Sequence, residues 1–555
     1  MHTPISKAQA ESGVNTAIQK TFALLAASNH ASVDQLLLSA LGSSYAPIQV
    51  GALETLFVRR SAAGDRWILS RWHEFDERWR NLIVERAFSM TSALREAIIG
   101  SDLQLCLNAC DLAIRLGDHD LIPALVIAIE SPDPVQAQRC GETLLWLTAD
   151  LRHAVDASGT AAGQPDLEPV RRNVLASLER YLKKFQRHKP IQPLEAYLVL
   201  VNADDEALRT LLLDSHDPAF VSIVYLMAHS EQPGVMRLLL EHLDDPQSAS
   251  AALNAIGHRA DETFIRLFLD HVGDELTETV RNNLRKIESF VWLRDDLAWL
   301  NRLDDRQQDR LVQVLLASSI KKSELFHVLE FVIQDGHALG RRAAAKALVD
   351  FSGTEASALT MRALEDDDPQ VQAAAVSQLR QRGLSNTLSL LLDRLESPHH
   401  VVRQAARASL AEYSFKRYLA SFDILNEVAR RSTGKLVKRI DTQTIPLLRE
   451  QFQADSRTRR LRAVAMAIVL ELAGEFEDEA VELLADPDHV VRAEAARLLG
   501  YCPTPTAKAL LQQTLTDASV VVREAAAASS ARLEGRPAPT SNAGKGSGAT
   551  EVTHA

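Results

Sequence analysis

The chain is poor in aromatic residues, and that scarcity already constrains its interior. Phe, Trp and Tyr make up 5% of 555 residues while apolar residues of all kinds make up 46%, so the core has to be aliphatic, built from Leu, Ala, Val and Ile. Cysteine is scarcer still. Cys106, Cys110, Cys140 and Cys502 are too few and too scattered for a disulfide framework, so a reducing compartment, the cytoplasm, is expected. Cys106 and Cys110 share one predicted helical face, but structural zinc takes four ligands and no second Cys or His pair stands at suitable spacing. They read as buried small hydrophobes, and neither metal nor cofactor is expected. No apolar run reaches the roughly 18 residues of a membrane span, and the opening "MHTPISKAQAESGVNTAIQK" is polar, so neither signal peptide nor membrane contact is expected. Positive charge is not in excess either. With a formal net charge of -12 the chain repels polyanions, and nucleic acid is not the expected partner.

Catalytic signatures are missing as well. The chain has no HExxH, no phosphate loop, no GxSxG and no CxxC, and the "GKGSG" at Gly544–Gly548 has no strand before it or helix after it.

What the chain does have is a repeat. "LADPDHVVRAEAARLLG", Leu484 to Gly500, returns as "LTDASVVVREAAAASSARL" from Leu515 and as "LESPHHVVRQAARASLAEY" around Arg403. One slot is filled in turn by Arg342, Gln372, Arg403, Arg462, Arg492 and Arg523, at steps of one or two multiples of about 30 residues, the period of a solenoid. In each unit a short amphipathic helix is stopped by a turn such as Asp486-Pro487. Asp488 is placed to cap the next helix, Val491, Ala495, Leu498 and Leu499 form its buried stripe, and Gly500 is placed as a left-handed stop. One such pair cannot bury its stripe alone, so the pairs must stack. Asp486, Asp488 and His489 therefore read as turn chemistry rather than metal ligands, because equivalent slots hold Ser397, His399 and His400 or Asp517, Ser519 and Val520.

These units resemble HEAT-like repeats of the short kind typified by the bacterial phycobilisome bilin lyases. The resemblance implies an all-α solenoid of stacked antiparallel helix pairs, of HEAT or armadillo type. It also implies a ladder between a turn Asp and an Arg six positions on, carried here by Asp486 with Arg492 and Asp517 with Arg523; Arg403 follows Ser397 instead, and Gln372 replaces the Arg. Weaker copies, such as those around Asp133-Pro134, Asp217-Pro218 and Asp245-Pro246, extend the pattern to roughly fifteen to seventeen units. The expected organisation is a flexible terminus (1–14), irregular repeats (15–154), an exposed loop (155–169), degenerate repeats (170–334), regular repeats (335–534) and a disordered tail (535–555).

Two stretches carry candidate binding residues. Trp72, Phe75, Trp79 and Ile83 fall at helical spacing, a core stripe or, through Trp72 and Trp79, an aromatic anchor for a partner. Arg430, Arg431, Lys435, Lys438, Arg439, Arg457, Arg459, Arg460 and Arg462 gather in neighbouring units as a possible basic ridge, alternatively a solvated face. The expected function is a non-enzymatic scaffold that holds a protein partner along the concave face of the solenoid. The alternatives are nucleic-acid binding through the basic ridge, and a tetrapyrrole-chromophore lyase or its chaperone, the latter suggested by the repeat type alone.

Overall fold

The turn "ADPD" shows how the sequence builds the molecule. Helix Glu477–Leu483 ends at Leu484, and the Asp486 carboxylate accepts from the Asp488 amide at 2.8 Å, closing the turn. Asp488 then accepts from the Val490 amide at 2.8 Å and caps helix His489–Leu499. The same pair of bonds recurs at Asp366 with Asp368, and Asp517 closes its turn on the Ser519 amide at 2.7 Å. Local polar chemistry thus fixes where each hairpin reverses.

The computed structural model describes residues 7–86, 90–158, 166–186, 189–294 and 296–536, with the backbone alone for 7–15, 86 and 158. The described residues are helical, with no strand among them. They divide into two compact units, Met1–Ala343 and Ala344–Ala555.

The second unit has the more regular hairpins. Its core is mostly aliphatic, with Val491, Ala495, Leu498 and Leu499 all fully buried, as their spacing predicts, and with rings such as Phe415 and Phe476 among them. Gly500 departs from expectation: its φ is -66°, so it is not a left-handed stop. It is glycine because helix Val520–Leu533 lies too close. A Cβ at 500 would stand 2.7 Å from the Ser529 side chain and 3.0 Å from its Cα. Left-handed stops occur elsewhere: at Gly117 in the first unit, with φ 61° after helix Leu103–Leu116, and at Gly535 in the second, with φ 68° after helix Val520–Leu533.

The ladder also differs in its register and its atoms. In the unit of helix Arg457–Val469 the slot belongs to Arg460, not Arg462, because Arg460 donates to the Ala454 carbonyl six residues back at 2.9 Å. Arg492, Arg523, Arg403 and even Gln372 make the equivalent bond, to the carbonyls of Asp486, Asp517, Ser397 and Asp366. The turn carboxylate faces the preceding unit: Asp486 pairs with Arg460 at 2.8 Å and Asp517 with Arg492 at 3.0 Å. Each such arginine joins its own turn to the next one. Gln372 and Ser397 carry no charge, so that ionic rung is missing between their units.

In the first unit the order is looser. Helix Lys7–Ala27 starts ahead of the expected Asn15, since Ala8, Gln9, Ala10 and Glu11 are good helix formers without an apolar stripe. Helix Pro134–Ser158 runs into the expected loop and helix Glu168–Leu182 begins inside it; residues 159–165 lie outside the described residues, as does the expected tail from 537. Helix Gln192–Leu200 is apolar all round and buried from Leu194 to Leu200 except for Glu195, which marks it as a central element. Between helices Glu278–Leu284 and Asp305–Ala317, the 3-10 turns Val291–Leu293 and Leu297–Arg302 replace the expected helix pair. There Phe268, Phe290, Trp292 and Trp299 pack ring against ring at 5.2 to 6.4 Å and fill the volume with aromatics. Neighbouring helices in this unit are tied by side chains that cap helix-end carbonyls. Arg259, fully buried, donates to Met227 and Ser230 carbonyls at 3.1 and 2.8 Å, Gln136 to Ile98 and Gly100, and Asn283 to Leu243 and Asp245.

Candidate functional site

The basic stretch is largely engaged by the protein itself. Arg457 and Arg460 pair with Asp488 and Asp486, Arg431 with Glu427, Arg439 with Glu396 and Arg462 with Asp423. Arg430 lies over the Phe422 ring and donates to the Phe422 carbonyl, Arg459 bonds Gln451, and Lys438 reaches the Glu471 carbonyl. Lys435 is exposed. Most of these cations are thus held by partners within the second unit.

The aromatic stretch is interrupted too. Helix Ala62–Arg71 ends before Trp72, the chain is extended at Phe75, and a new helix runs over Glu77–Arg86, so the four apolar residues do not share a helix. Trp72 is 1% exposed and its indole N–H donates to Asp111 at 2.7 Å, which makes it a core residue rather than an anchor. Trp79 is half-buried against Phe75.

Among the described residues, the Asp486 turn does not gather metal ligands; one group does, and it is made of thiols. Cys106, Cys110 and Cys140 are buried, and their sulfurs all lie within 4.8 Å of one another. Hydrogen bonding among these sulfurs lowers Cys110 and raises Cys106 and Cys140, so the three thiols act on one another. The sequence expectation missed the third member because it looked for a nearby pair. The repeat held the signal: residues 110 and 140 stand one period apart and occupy neighbouring helices, Leu103–Leu116 and Pro134–Ser158.

The first unit also offers an open cleft of about 570 Å³ between helices Glu168–Leu182 and Glu206–Leu213, above the buried Tyr197. Leu182, Ala207 and Leu211 give it an apolar floor, while Glu179, Asp205, Glu206, Asp214 and Asp217 stand around it with Lys183 as the one amine. The local fold puts these carboxylates there. Asp205 caps helix Glu206–Leu213 by accepting from the Ala207 and Leu208 amides, and Asp217 closes the following turn on the Ala219 amide at 2.7 Å. Burial pushes the Tyr197 hydroxyl up, and it donates to Asp205 at 3.3 Å. The acidic run Asp204-Asp205-Glu206, followed by Asp214 and Asp217, was the available sequence signal.

A family model for HEAT repeats matches residues 327–411 and 477–541. These segments are similar to HEAT repeats. The basic stretch lies between the two HEAT matches, and the cleft and the thiols lie ahead of both. No curated protein matches the chain. Among solved structures, an engineered protein from the Northeast Structural Genomics Consortium is 14% identical, with 90% of this chain and 98% of that chain covered and a TM-score of 0.18. None of the helices is long and apolar enough among its described residues to cross a membrane.

Proposed function

We propose that the protein is a non-catalytic HEAT-repeat scaffold that docks a basic, amphipathic segment of a partner protein in the cleft of its first unit. The observation that carries this reading is the make-up of the cleft, five carboxylates against one amine around an aliphatic floor. An apolar helix face flanked by Lys or Arg matches both features. Stacked HEAT pairs present such clefts between successive helices, which is how repeat proteins offer long binding surfaces. The net charge of -12 favours the same kind of partner over nucleic acid.

The test is a photocrosslinking amino acid at the exposed Ala207, in the full chain expressed in its native host. The expected product is one stoichiometric companion, crosslinked through a Lys/Arg-rich segment, whose yield falls when irradiation is carried out at raised salt. A double reversal, Glu206→Lys with Asp214→Lys, should abolish that product while the chain keeps its helical circular-dichroism spectrum, with some loss of melting temperature because Glu206 sits in a first helical turn and Asp214 accepts from the His216 amide. A crosslinked segment without basic residues, or turnover of a small molecule by the purified protein, overturns the reading.

A further inference from the structure

Three of the four cysteines in this chain meet at one point. Cys106 and Cys110 stand one helical turn apart on helix Leu103–Leu116 and share a face; Cys140 comes from helix Pro134–Ser158, packed against it. All three are fully buried, and the sulfurs of Cys106 and Cys140 are 3.6 Å apart, hydrogen-bonded as free thiols rather than joined in a disulfide. An aliphatic core rich in alanine and leucine has ample residues to fill such a volume, as it does throughout both units, so packing alone gives no reason for three thiols to converge.

We propose that Cys106, Cys110 and Cys140 form a three-coordinate thiolate site for a soft monovalent metal ion, with Cu(I) the fitting class. Sulfurs held within 4.8 Å of one another leave room for one ion at ordinary metal–sulfur distances. No further Cys, His, Asp or Glu joins them among the described residues, so the four-ligand shell of structural zinc is not completed. Thiolate ligands shielded from solvent select soft ions such as Cu(I) over hard ones. On binding, three metal–sulfur bonds form and the thiol protons leave to water; no electron is transferred. The ion would tie two successive helix pairs of the first unit together.

The test is an anaerobic titration of the reduced full chain with Cu(I) in competition with bathocuproine disulfonate. The site predicts one Cu(I) withheld per chain, ultraviolet thiolate-to-copper absorption and a raised melting temperature. Cys140→Ala should lose at least about tenfold in retention, whereas Cys502→Ala, at a separate buried cysteine, should retain copper like the parent. Cys110→Ala serves if Cys140→Ala does not fold. The proposal is overturned if the chelator takes all the copper from the parent chain, or if parent and Cys140→Ala retain it equally. It is also overturned if the site prefers zinc with four ligands by X-ray absorption.

Discussion

At the scale of single residues, the ladder arginine does two jobs that one substitution can separate. Arg492 donates to the Asp486 carbonyl within its own turn and pairs with the Asp517 carboxylate of the next, both partners being mostly shielded from solvent. Arg492→Met removes both, leaving a carbonyl and a carboxylate short of a donor, and should cost about 2–4 kcal/mol in urea unfolding at neutral pH. The pair also has a pH signature. The Arg492 guanidinium holds the Asp517 carboxyl below the usual carboxylate range. Its stabilisation is therefore complete above the unfolded value near pH 4 and is lost as pH falls through the lower folded value. In Asp517→Asn the unfolding midpoint should lose that part of its acid dependence. His242 has a different window. It is fully buried, bonded to Ser248 at 3.2 Å, and burial pushes its imidazole down to about 4, with Asp245 acting against that shift and Arg209 with it. Folding holds it neutral, so stability is present above about pH 6.5 and declines as pH falls toward 4. His242→Gln should flatten the midpoint over that interval, and an unchanged slope would locate the acid sensitivity elsewhere.

Helices and their turns show what patterning can and cannot reveal. The repeat period, the capping role of Asp488 and the buried stripe of helix His489–Leu499 were all legible, because capping and burial follow from neighbours in sequence. The reason for Gly500 was not, since the atoms that exclude a Cβ belong to Ser529 in another helix. Arg460 and Arg462 are alike in sequence, since both lie on helix Arg457–Val469 within a run of arginines; only the contact with the Ala454 carbonyl distinguishes them. The cleft was not read although its acidic run was in view, because Glu179 comes from another helix and joins Asp205, Glu206, Asp214 and Asp217 only after packing. A paired substitution tests the close-approach account. Gly500→Ala should destabilise by about 1–3 kcal/mol, through overpacking against Ser529. Gly474→Ala, with nothing within 4 Å of the new Cβ, should be neutral or stabilising by up to about 1 kcal/mol. Equal effects at the two positions in thermal melts would refute the explanation.

Across the whole molecule, stacked pairs make stability a sum of neighbouring interactions rather than the property of one core. Leu498 is fully buried in the second unit, among residues that run from Phe415 to Ala526. Leu498→Ala should cost about 2–5 kcal/mol locally. Because each pair touches mainly the pairs beside it, that loss should stay near its source. Hydrogen exchange read by mass spectrometry is expected to show faster amide exchange in helices Arg457–Val469, His489–Leu499 and Val520–Leu533, which pack together. Helix Gln192–Leu200, central to the first unit, should keep the protection it has in the parent chain. A single globular core would instead lose protection everywhere at once, so the spread of the perturbation along the chain separates the two architectures. The same locality bears on function: a partner bound in the first-unit cleft would protect helix Glu206–Leu213 and its neighbours and leave the Leu498 region exchanging as before.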